Sequence, residues 1–372
     1  MRVCIVCEGH PYANMGGAEY QAHMLAEELC RRAGVEVFFL ARHAPSAERA
    51  STLPYRIRRV GTAKGLRRRA VFFDAQELGR ALNEIKPDVI YEQMKQSYTA
   101  VCARYARRAR IPFFIHIASE WDLDPSWIPL RLSPNTPFDM VESIAGNWGL
   151  RRASHVIVQT EAQGRKLQRL WGRAPSILVR NFQPIPETMP PRPAGIINVL
   201  WVGNIKEVKR PELYIELARK FADRKDIHFD MVGRPWNHWR AEPFMATVAA
   251  LPNLTYHGEL PMTRVNELMS AASLYVNTSA HEGFPNTFVQ AWAHGAVLLS
   301  LVVDPYEGPP MEGIDRLGIG FSSPRACRCE SVAEQSFRFV HDLHSLGEGM
   351  RLADAMLDAA KKQRSNYGVS AN

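Results

Sequence analysis

The chain has 372 residues, of which 46% are hydrophobic and 23% charged, and its formal net charge is +8 at pH 7. This composition is typical of a globular protein with about two domains, and it excludes collagen-like, disordered and coiled-coil proteins. No apolar run approaches the roughly 20 residues that a membrane-spanning helix needs. The first residues predict a strand rather than a secretion signal, so we expect a cytoplasmic protein.

Short β-rich runs alternate with amphipathic helical stretches along the first half of the chain. A strand at 3–7 leads through a glycine-containing loop into a helix over 18–32, with Gly34 just beyond its end. Further strands are predicted at 35–40, 89–91, 113–116 and 155–158, the last after a helical stretch that ends near Arg152. Strands that alternate with helices are typical of a parallel sheet in an α/β domain.

A proline-rich stretch separates this half from a second one of the same kind. Five prolines lie between Pro184 and Pro193, a density that resists helix and central strand and predicts an interdomain connection. The pattern then resumes, with strands at 199–202, 227–232, 254–257, 274–276 and 297–303 and helices over 211–221 and 287–294. A mostly helical tail follows from Ser331 to near Arg364.

The predicted fold class is therefore α/β, with two Rossmann-like, doubly wound domains that face a central cleft. We assign 1–183 to an N-terminal domain, 184–195 to a linker, 196–345 to a C-terminal domain and 346–366 to a C-terminal helix. Ligands of such folds bind beyond the carboxyl ends of the strands, so the loops at those ends are the candidate sites.

Most of the basic excess lies in the first 190 residues, in clusters at Arg56–Arg59, Lys64–Arg69 and Arg104–Arg110. Such clusters attract phosphates, nucleic acid or acidic lipid headgroups, although solvated helix faces and loops account for them equally well. The asymmetry favours a surface that meets an anionic membrane or a phosphate-bearing substrate. A nucleic-acid partner is not expected, because no recognisable binding module accompanies the charge.

Two loops that follow predicted strands have the chemistry of anion sites. Gly16 and Gly17 open the first helix, where backbone N–H groups attract a phosphate, although the pattern is not that of a dinucleotide site. In the second half a strand ends at Gly203, and a basic loop leads to Lys209 just before a helix. Its ammonium and the helix dipole both favour a diphosphate there, whereas a solvated Lys-Arg pair is the alternative.

The most informative stretch runs from His281 to Gln290. A turn with Gly283 and Pro285 brings backbone N–H groups to a helix start, which again favours phosphate. Glu282 precedes this turn and is able to accept hydrogen bonds from sugar hydroxyls, or alternatively to cap its own helix. The side chain of Gln290 suits a ribose hydroxyl.

These stretches together resemble the retaining family 4 glycosyltransferases, which have the GT-B fold. The resemblance implies that a nucleotide-sugar donor lies mainly on the C-terminal domain and that the N-terminal domain recognises the acceptor. It rests on Gly16-Gly17-Ala-Glu, on Val202-Gly203 followed by Lys209-Arg-Pro, and on Ser279-x-x-Glu282-Gly-Phe-Pro-Asn-Thr-Phe.

The resemblance also implies roles for individual residues. Glu282 would hold the hydroxyls of the transferred sugar, Lys209 would counter the diphosphate charge, and His116 would lie beside the donor sugar. These three are the predicted catalytic residues. The other predicted donor-binding residues are Gly16, Gly17, Gly203, Asn204, Lys206, Phe284, Pro285, Asn286, Thr287 and Gln290.

Two positions depart from the family pattern. Asn204 stands where the family commonly has an arginine, so one diphosphate cation is either missing or supplied by Lys206. Gln290 replaces the second acid of the Glu-x7-Glu motif, which predicts weakened or altered donor binding. The family does not depend on a metal-binding acidic pair, so we assign no metal or cofactor, and Asp122-Leu-Asp124 is given no such role.

The segment 119–150 contains Trp121, Trp127 and Trp148, and tryptophans stack on sugar faces. We expect part of it to shape the acceptor site, the alternative being an insertion packed on its own aromatics.

The expected function is transfer of a sugar from a nucleotide-diphosphate-sugar to a lipid-linked or polysaccharide acceptor. Bacterial surface polysaccharide synthesis at the inner membrane surface is the expected setting. A nucleotide-sugar epimerase of the same fold and a catalytically silent nucleotide-sugar-binding protein are the alternatives.

Overall fold

The computed structural model describes residues 1–13, 16–62, 70–126, 136–191, 195–235, 241–282, 284–303, 337 and 345–366. The chain divides into two compact units. The first consists of Met1–Phe182 together with Leu346–Asn372, and the second of Gln183–Ser345. Each unit is built around one parallel β-sheet, which confirms the predicted α/β class.

The sheet of the first unit has seven parallel strands in the order β3-β2-β1-β4-β5-β6-β7. The strands are β1 (Arg2–Gly9), β2 (Glu36–His43), β3 (Arg56–Arg59), β4 (Val89–Gln93), β5 (Phe113–His116), β6 (His155–Val158) and β7 (Ile177–Leu178). The helices are α1 (Gly17–Cys30), α2 (Ala47–Ser51), α3 (Ala75–Ile85), α4 (Ser97–Ala109), α5 (Thr136–Leu150) and α6 (Glu161–Trp171).

Helices cover both faces of this sheet, which is why its central strands are mostly apolar. In β1, Val3 and Ile5 point into the core beneath α1, while Cys4 and Val6 point into the core beneath α3 and α4. The alternation follows from the two-residue period of a strand.

Helix α5 lies within the tryptophan-containing segment and packs closely on α4. A Cβ atom added at Gly149 would lie 2.4 Å from the carbonyl carbon of Thr99, so only glycine permits this approach. The indole of Trp148 is 39% exposed and that of Trp121 is 59% exposed, whereas Trp127 lies outside the described residues.

The second unit has five parallel strands in the order β10-β9-β8-β11-β12. The strands are β8 (Ile197–Val202), β9 (Ile227–Val232), β10 (Leu254–Tyr256), β11 (Leu274–Asn277) and β12 (Val297–Ser300). The helices are α7 (Pro211–Lys220), α8 (Ala241–Ala249), α9 (Met262–Ala271) and α10 (Asn286–Ala293).

The C-terminal helix α11 (Leu346–Asn366) belongs to the first unit, although it follows the second along the chain. Leu352 and Met356 are fully buried in the core that α1 shares, and Arg32 pairs with Asp354 at 3.1 Å. The predicted helical stretch from 331 to 344 lies outside the described residues, apart from residue 337.

The three basic clusters of the first 190 residues lie in different parts of the structure. Arg56–Arg59, for which solvated helix faces and loops were one of the two alternatives, forms the edge strand β3, where Arg56 pairs with Glu36 at 3.0 Å and Arg58 with Glu84 at 2.5 Å. The cluster Lys64–Arg69 lies outside the described residues. Arginines at 104, 107, 108 and 110 are exposed on α4 and at its end.

None of the described helices is long and apolar enough to span a membrane.

Candidate functional site

The candidate site of the second unit lies where the strand order reverses. The chain runs from β8 to β9 on one side, and β11 later pairs with β8 on the other side, in the register Leu274 to Val199. The loops after β8 and β11 therefore leave the same sheet edge in different directions. A crevice forms between such loops, and it is the general ligand position of open parallel sheets.

Backbone and side-chain hydrogen bonds join these two loops. The Ala280 N–H donates to the Val208 carbonyl at 2.9 Å, and the Thr278 hydroxyl donates to the Lys209 carbonyl at 2.5 Å. Arg210 donates from Nε to the Thr278 carbonyl at 2.7 Å. Because Arg210 has a left-handed backbone (φ +44°), the chain turns sharply there and α7 begins at the next residue.

The loop contacts bring Lys209 and Glu282 together. The ammonium of Lys209 donates to Oε1 of Glu282, and the hydroxyl of Ser279 donates to the same oxygen at 2.7 Å. The side chains of Lys209 and Glu282 are 19% and 16% exposed, so the pair is shielded yet still reached by solvent. The second carboxylate oxygen of Glu282 is engaged by neither Lys209 nor Ser279 and is oriented by the bonds to the first.

Helix α10 starts directly after this loop. Pro285 is its N-cap residue and provides no side-chain cap, and the helix then runs from Asn286 to Ala293. The first turn, which includes Thr287, carries the positive end of the helix dipole. The buried phenol of Tyr275 forms a hydrogen bond with Thr287 and donates to the Val202 carbonyl at 3.3 Å, and burial raises its pKa.

The backbones of Gly203 and Gly233 lie in close contact just beyond the ends of β8 and β9. Gly233 has φ +147°, and a Cβ atom there would lie 1.8 Å from the Gly203 carbonyl oxygen. Between Gly203 and Lys209, Ile205 is fully buried, while Asn204 and Lys206 are half-buried on either side of it.

Most of the sequence-predicted donor-binding residues thus lie at one edge of the second unit. They are Gly203, Asn204, Lys206, Lys209, Glu282, Phe284, Pro285, Asn286 and Thr287. Gln290 lies one turn into α10, is 4% exposed, and donates to the sulfur of Met262 at 2.8 Å. Its role toward a ribose stays a prediction.

The remaining predicted residues, Gly16, Gly17 and His116, lie at the carboxyl edge of the first unit's sheet. Gly16 precedes α1, and a Cβ atom there would meet a carboxylate oxygen of Glu19 at 2.2 Å. The positive end of α1 is therefore already approached by an anion of this chain, which an external phosphate would have to displace or share.

His116 ends β5 and is buried. Its Nδ1 lies 2.7 Å from the phenol oxygen of Tyr91, and burial lowers its pKa to about 3. Asp122 lies in the loop that follows, where its carboxylate accepts N–H bonds from Ala118 and Ser119, and burial raises its pKa to about 6. The carboxylate of Asp122 thus closes its own loop.

Several residues that build these sites are not marked by any pattern in the sequence. Thr278 and Arg210 bond the two loops of the second unit to each other, and Ser279 orients Glu282; in the sequence, Arg210 and Ser279 stand out only as members of the family motifs. The bonds of Thr278 and Arg210 join residues 68 and 69 positions apart, and that of Ser279 depends on a loop conformation, so no local pattern marks these contacts. Only Gly233, at the end of a predicted strand, carried a visible signal.

Comparison with known proteins assigns both units. Residues 16–181 match a family model described as a glycosyl transferase 4-like domain, and residues 197–311 match one described as glycosyl transferases group 1. Together the two models cover most of the chain. The protein is a group 1 glycosyltransferase.

Solved structures support the same fold for this glycosyltransferase. HepE from Anabaena in complex with UDP-glucose is 16% identical, with a TM-score of 0.71 over 96% of this chain and 100% of that one. A sucrose-phosphate synthase from Thermosynechococcus elongatus is 15% identical, with a TM-score of 0.69 over the whole of both chains. WaaG, a glycosyltransferase involved in lipopolysaccharide biosynthesis, is 15% identical, with a TM-score of 0.67 over 95% of this chain and 99% of that one.

At these identities the likeness shows the fold, which is GT-B. A comparison with curated protein sequences finds no match.

Proposed function

We propose that this glycosyltransferase moves a sugar, with retention of anomeric configuration, from a nucleotide-diphosphate-sugar to a lipid-linked or saccharide acceptor. Bacterial surface polysaccharide synthesis is the proposed setting. The observation that carries the proposal is the meeting of Lys209, Glu282 and the start of α10 at the strand-order reversal of the second unit.

These three groups suit an activated sugar. The Lys209 ammonium and the first-turn N–H groups of α10 would bind the diphosphate, whose negative charge grows as the glycosidic bond breaks. In other enzymes, removing one such preorganised donor raises the activation barrier by about 3–4 kcal/mol. The second carboxylate oxygen of Glu282, which neither Lys209 nor Ser279 engages, would accept hydrogen bonds from hydroxyls of the transferred sugar.

We propose that no metal takes part, because ammonium and helix N–H groups supply the charge that a metal would otherwise provide. The Asp122 carboxylate is engaged by two backbone N–H groups, which supports leaving it out of metal binding. Among the described residues, no group of three or more metal-ligating side chains lies close enough together to hold an ion.

The relatives bear on the donor and the setting. HepE was solved with UDP-glucose, and WaaG is described as acting in lipopolysaccharide biosynthesis. The first supports a nucleotide-sugar donor for this chain, and the second supports a role in a surface polysaccharide pathway.

A peripheral contact with an anionic membrane is part of the proposal, and α5 is its proposed surface. Val141, Ile144 and Trp148 follow one side of this helix and are 43%, 52% and 39% exposed. Arg151 and Arg152 come next, and the Arg152 guanidinium lies 4.1 Å from the Trp148 ring centre. An apolar stripe next to arginines fits the interface of an acidic bilayer, with the apolar side chains among the acyl chains and the guanidinium groups at the headgroups.

The proposal is tested first by ligand binding and then by turnover. UDP-, GDP- and ADP-sugars are compared in a thermal-shift screen, since a ligand present at 100 times its Kd stabilises the folded state by about 2.7 kcal/mol. The stabilising donor is then incubated with a membrane extract or saccharide acceptor, and NMR gives the anomeric configuration of the product. If none of these nucleotide sugars stabilises the protein, the proposal is contradicted.

The same experiment separates the alternatives. An epimerase converts the donor when no acceptor is present. A silent binding protein is stabilised by a donor but transfers nothing, an outcome that Gln290 and Asn204 make worth testing. Inversion at the anomeric carbon would refute retention while leaving sugar transfer standing.

A further inference from the structure

A chain of buried polar side chains joins the loop after β1 to α1. His10 directly follows β1, Tyr55 directly precedes β3, and His23 lies on α1. All three side chains are buried. The Tyr55 hydroxyl lies 2.8 Å from Nε2 of His10 and 2.6 Å from Nδ1 of His23. One phenol thus bridges two histidines that belong to different elements of the first unit.

The partners at the two ends of this chain fix the direction of each hydrogen bond. Burial lowers the pKa of His10 to about 3, so its imidazole is neutral. The Tyr12 N–H donates to Nδ1 of His10 at 3.3 Å, so the imidazole proton is on Nε2, which donates to the phenol oxygen. The single phenol proton is then donated to Nδ1 of His23. The proton of His23 is therefore on Nε2, which faces Oε1 of Glu27 at 3.6 Å.

Charged and titratable side chains face His23 from each segment packed around it. They are Glu27 and Tyr20 on α1 itself, Arg49 on α2, His10 and Tyr12 after β1, and Tyr55 before β3. Burial lowers the pKa of His23, the Glu27 carboxylate opposes this effect, and the Arg49 guanidinium adds to it. The imidazole of His23 is therefore neutral at pH 7 and takes up a proton only in acid.

Protonation of His23 reverses the order of donors and acceptors along the chain. Nδ1 of His23 becomes a donor, so the Tyr55 oxygen faces a donor on each side and its own proton has no acceptor in the chain. The bonds are restored when Tyr55 donates to Nε2 of His10 and the His10 proton moves to Nδ1. That proton then opposes the Tyr12 N–H, and their hydrogen bond is lost. The net change is the uptake of one proton from solvent.

We propose that His10, Tyr55 and His23 form an acid-sensitive latch, which holds the Tyr12 N–H while His23 is neutral and releases it when His23 is protonated. The loop that the latch holds leaves β1 where the strand order of the first sheet reverses, with β2 on one side and β4 on the other. Loops at such a point line the ligand crevice of open parallel sheets. Acid therefore loosens one side of that crevice, independently of which donor and acceptor this glycosyltransferase uses.

NMR of the ¹⁵N-histidine-labelled full chain tests the direction of the hydrogen bonds. At pH 7.5 we expect both His10 and His23 to carry their proton on Nε2, with Nδ1 unprotonated. A proton on Nδ1 of His10 at this pH overturns the inference, because Nδ1 would then be unable to accept from the Tyr12 N–H.

Hydrogen exchange of the Tyr12 amide tests the release. Its protection factor, which corrects for the pH dependence of intrinsic exchange, should fall about tenfold between pH 6.5 and pH 5, as expected when opening takes up one proton. An unchanged protection factor over this range overturns the latch.

Variants of His23 and its neighbour identify the group that titrates. His23→Asn keeps an acceptor for the Tyr55 hydroxyl but takes up no proton, so protection of the Tyr12 amide should stay constant down to pH 5. His155→Asn is the matched control, because His155 is a half-buried histidine of the same unit whose pKa burial also lowers, and it should behave as the wild type. A fall in protection that persists in folded His23→Asn overturns the role of His23.

Glu27→Gln keeps the test decisive if His23→Asn does not fold, since Glu27 is partly exposed. The variant removes the negative charge that favours protonated His23. The fall in protection of the Tyr12 amide should therefore move to lower pH, and an unshifted fall counts against the latch.

Discussion

Lys209 and Glu282 are 73 residues apart in the chain, yet they form an ion pair in which Ser279 shares the carboxylate oxygen. The pair exists because β11 lies beside β8 and the loops that follow these strands are bonded to each other. A diphosphate entering this place would meet an ammonium already oriented by the carboxylate. Each partner should therefore affect a different part of donor binding.

Replacing Lys209 should weaken binding of the diphosphate itself. We expect Lys209→Met to lower kcat/KM by about 10²- to 10³-fold, the range found when one preorganised donor is lost, and to weaken binding of the free nucleoside diphosphate. The measurement is steady-state transfer together with calorimetric titration. Lys220→Met, at the exposed end of α7, is the matched control. Equal loss in both variants would assign the effect to net charge alone.

Replacing Glu282 should impair sugar transfer and leave binding of the diphosphate intact. Glu282→Gln leaves the Lys209 charge unpaired, so the nucleoside diphosphate should bind as well as before or more tightly. Transfer should fall by about 10²-fold, because a carboxylate acceptor for the sugar hydroxyls is replaced by a neutral amide. Titration with and without the sugar moiety checks this. Weaker binding of the bare nucleoside diphosphate would contradict the assignment.

Gly233 should tolerate no side chain. Gly233→Ala combines a backbone that only glycine adopts readily with a Cβ atom 1.8 Å from the Gly203 carbonyl, so we expect a loss of more than about 2 kcal/mol in unfolding free energy. Gly172→Ala is the control, because Gly172 has φ +64° but nothing within 4 Å of an added Cβ. It should cost about 1 kcal/mol. Urea unfolding measures the free energy of unfolding of both variants. Equal losses would show that the contact with the Gly203 carbonyl does not contribute to the destabilisation.

Acid should destabilise the first unit through its buried histidines. Burial lowers the pKa of both His10 and His116 to about 3, so the folded state binds fewer protons than the unfolded state below about pH 6.5. Stability is therefore complete above that pH and falls as the pH decreases toward 3, by about 2 kcal/mol at pH 5 for His116 alone.

Urea unfolding above pH 6.5 and at pH 5 tests this. His116→Gln should reduce the difference in unfolding free energy between the two pH values. The exposed His281, changed to Gln, should leave it unchanged. An identical pH dependence in His116→Gln and the wild type would refute the contribution of His116.

The α5 surface should bind acidic vesicles. In cosedimentation with phosphatidylglycerol vesicles, Ile144→Asp should bind about tenfold more weakly than the wild type, because it loses apolar insertion and adds a repelled charge. Binding should also weaken with salt. Leu170→Asp on α6, at a leucine that is 38% exposed, is the matched control. A dimer seen without vesicles and abolished by Ile144→Asp would make the surface an interface between copies instead.

Local patterns in the sequence determined the elements from which both sheets are built. Strands such as Phe113–His116 and Ile227–Val232 have the bounds that the sequence predicted. The candidate residues after β8 and β11 were also recognisable, since glycine, proline and lysine beside a helix start have local chemistry. Arg56–Arg59 shows the limit, because its charges concealed an edge strand that is defined only by pairing with β2.

The tertiary structure alone decided which of these elements meet. No local pattern places α11 on the first unit, pairs Lys209 with Glu282, or brings the Tyr91 phenol to His116. Hydrophobic period and helix capping act over a few residues, whereas the order of strands in a sheet depends on burying the apolar faces of the whole unit. The sequence therefore determined the chemistry available to this glycosyltransferase, and the fold determined which groups act together.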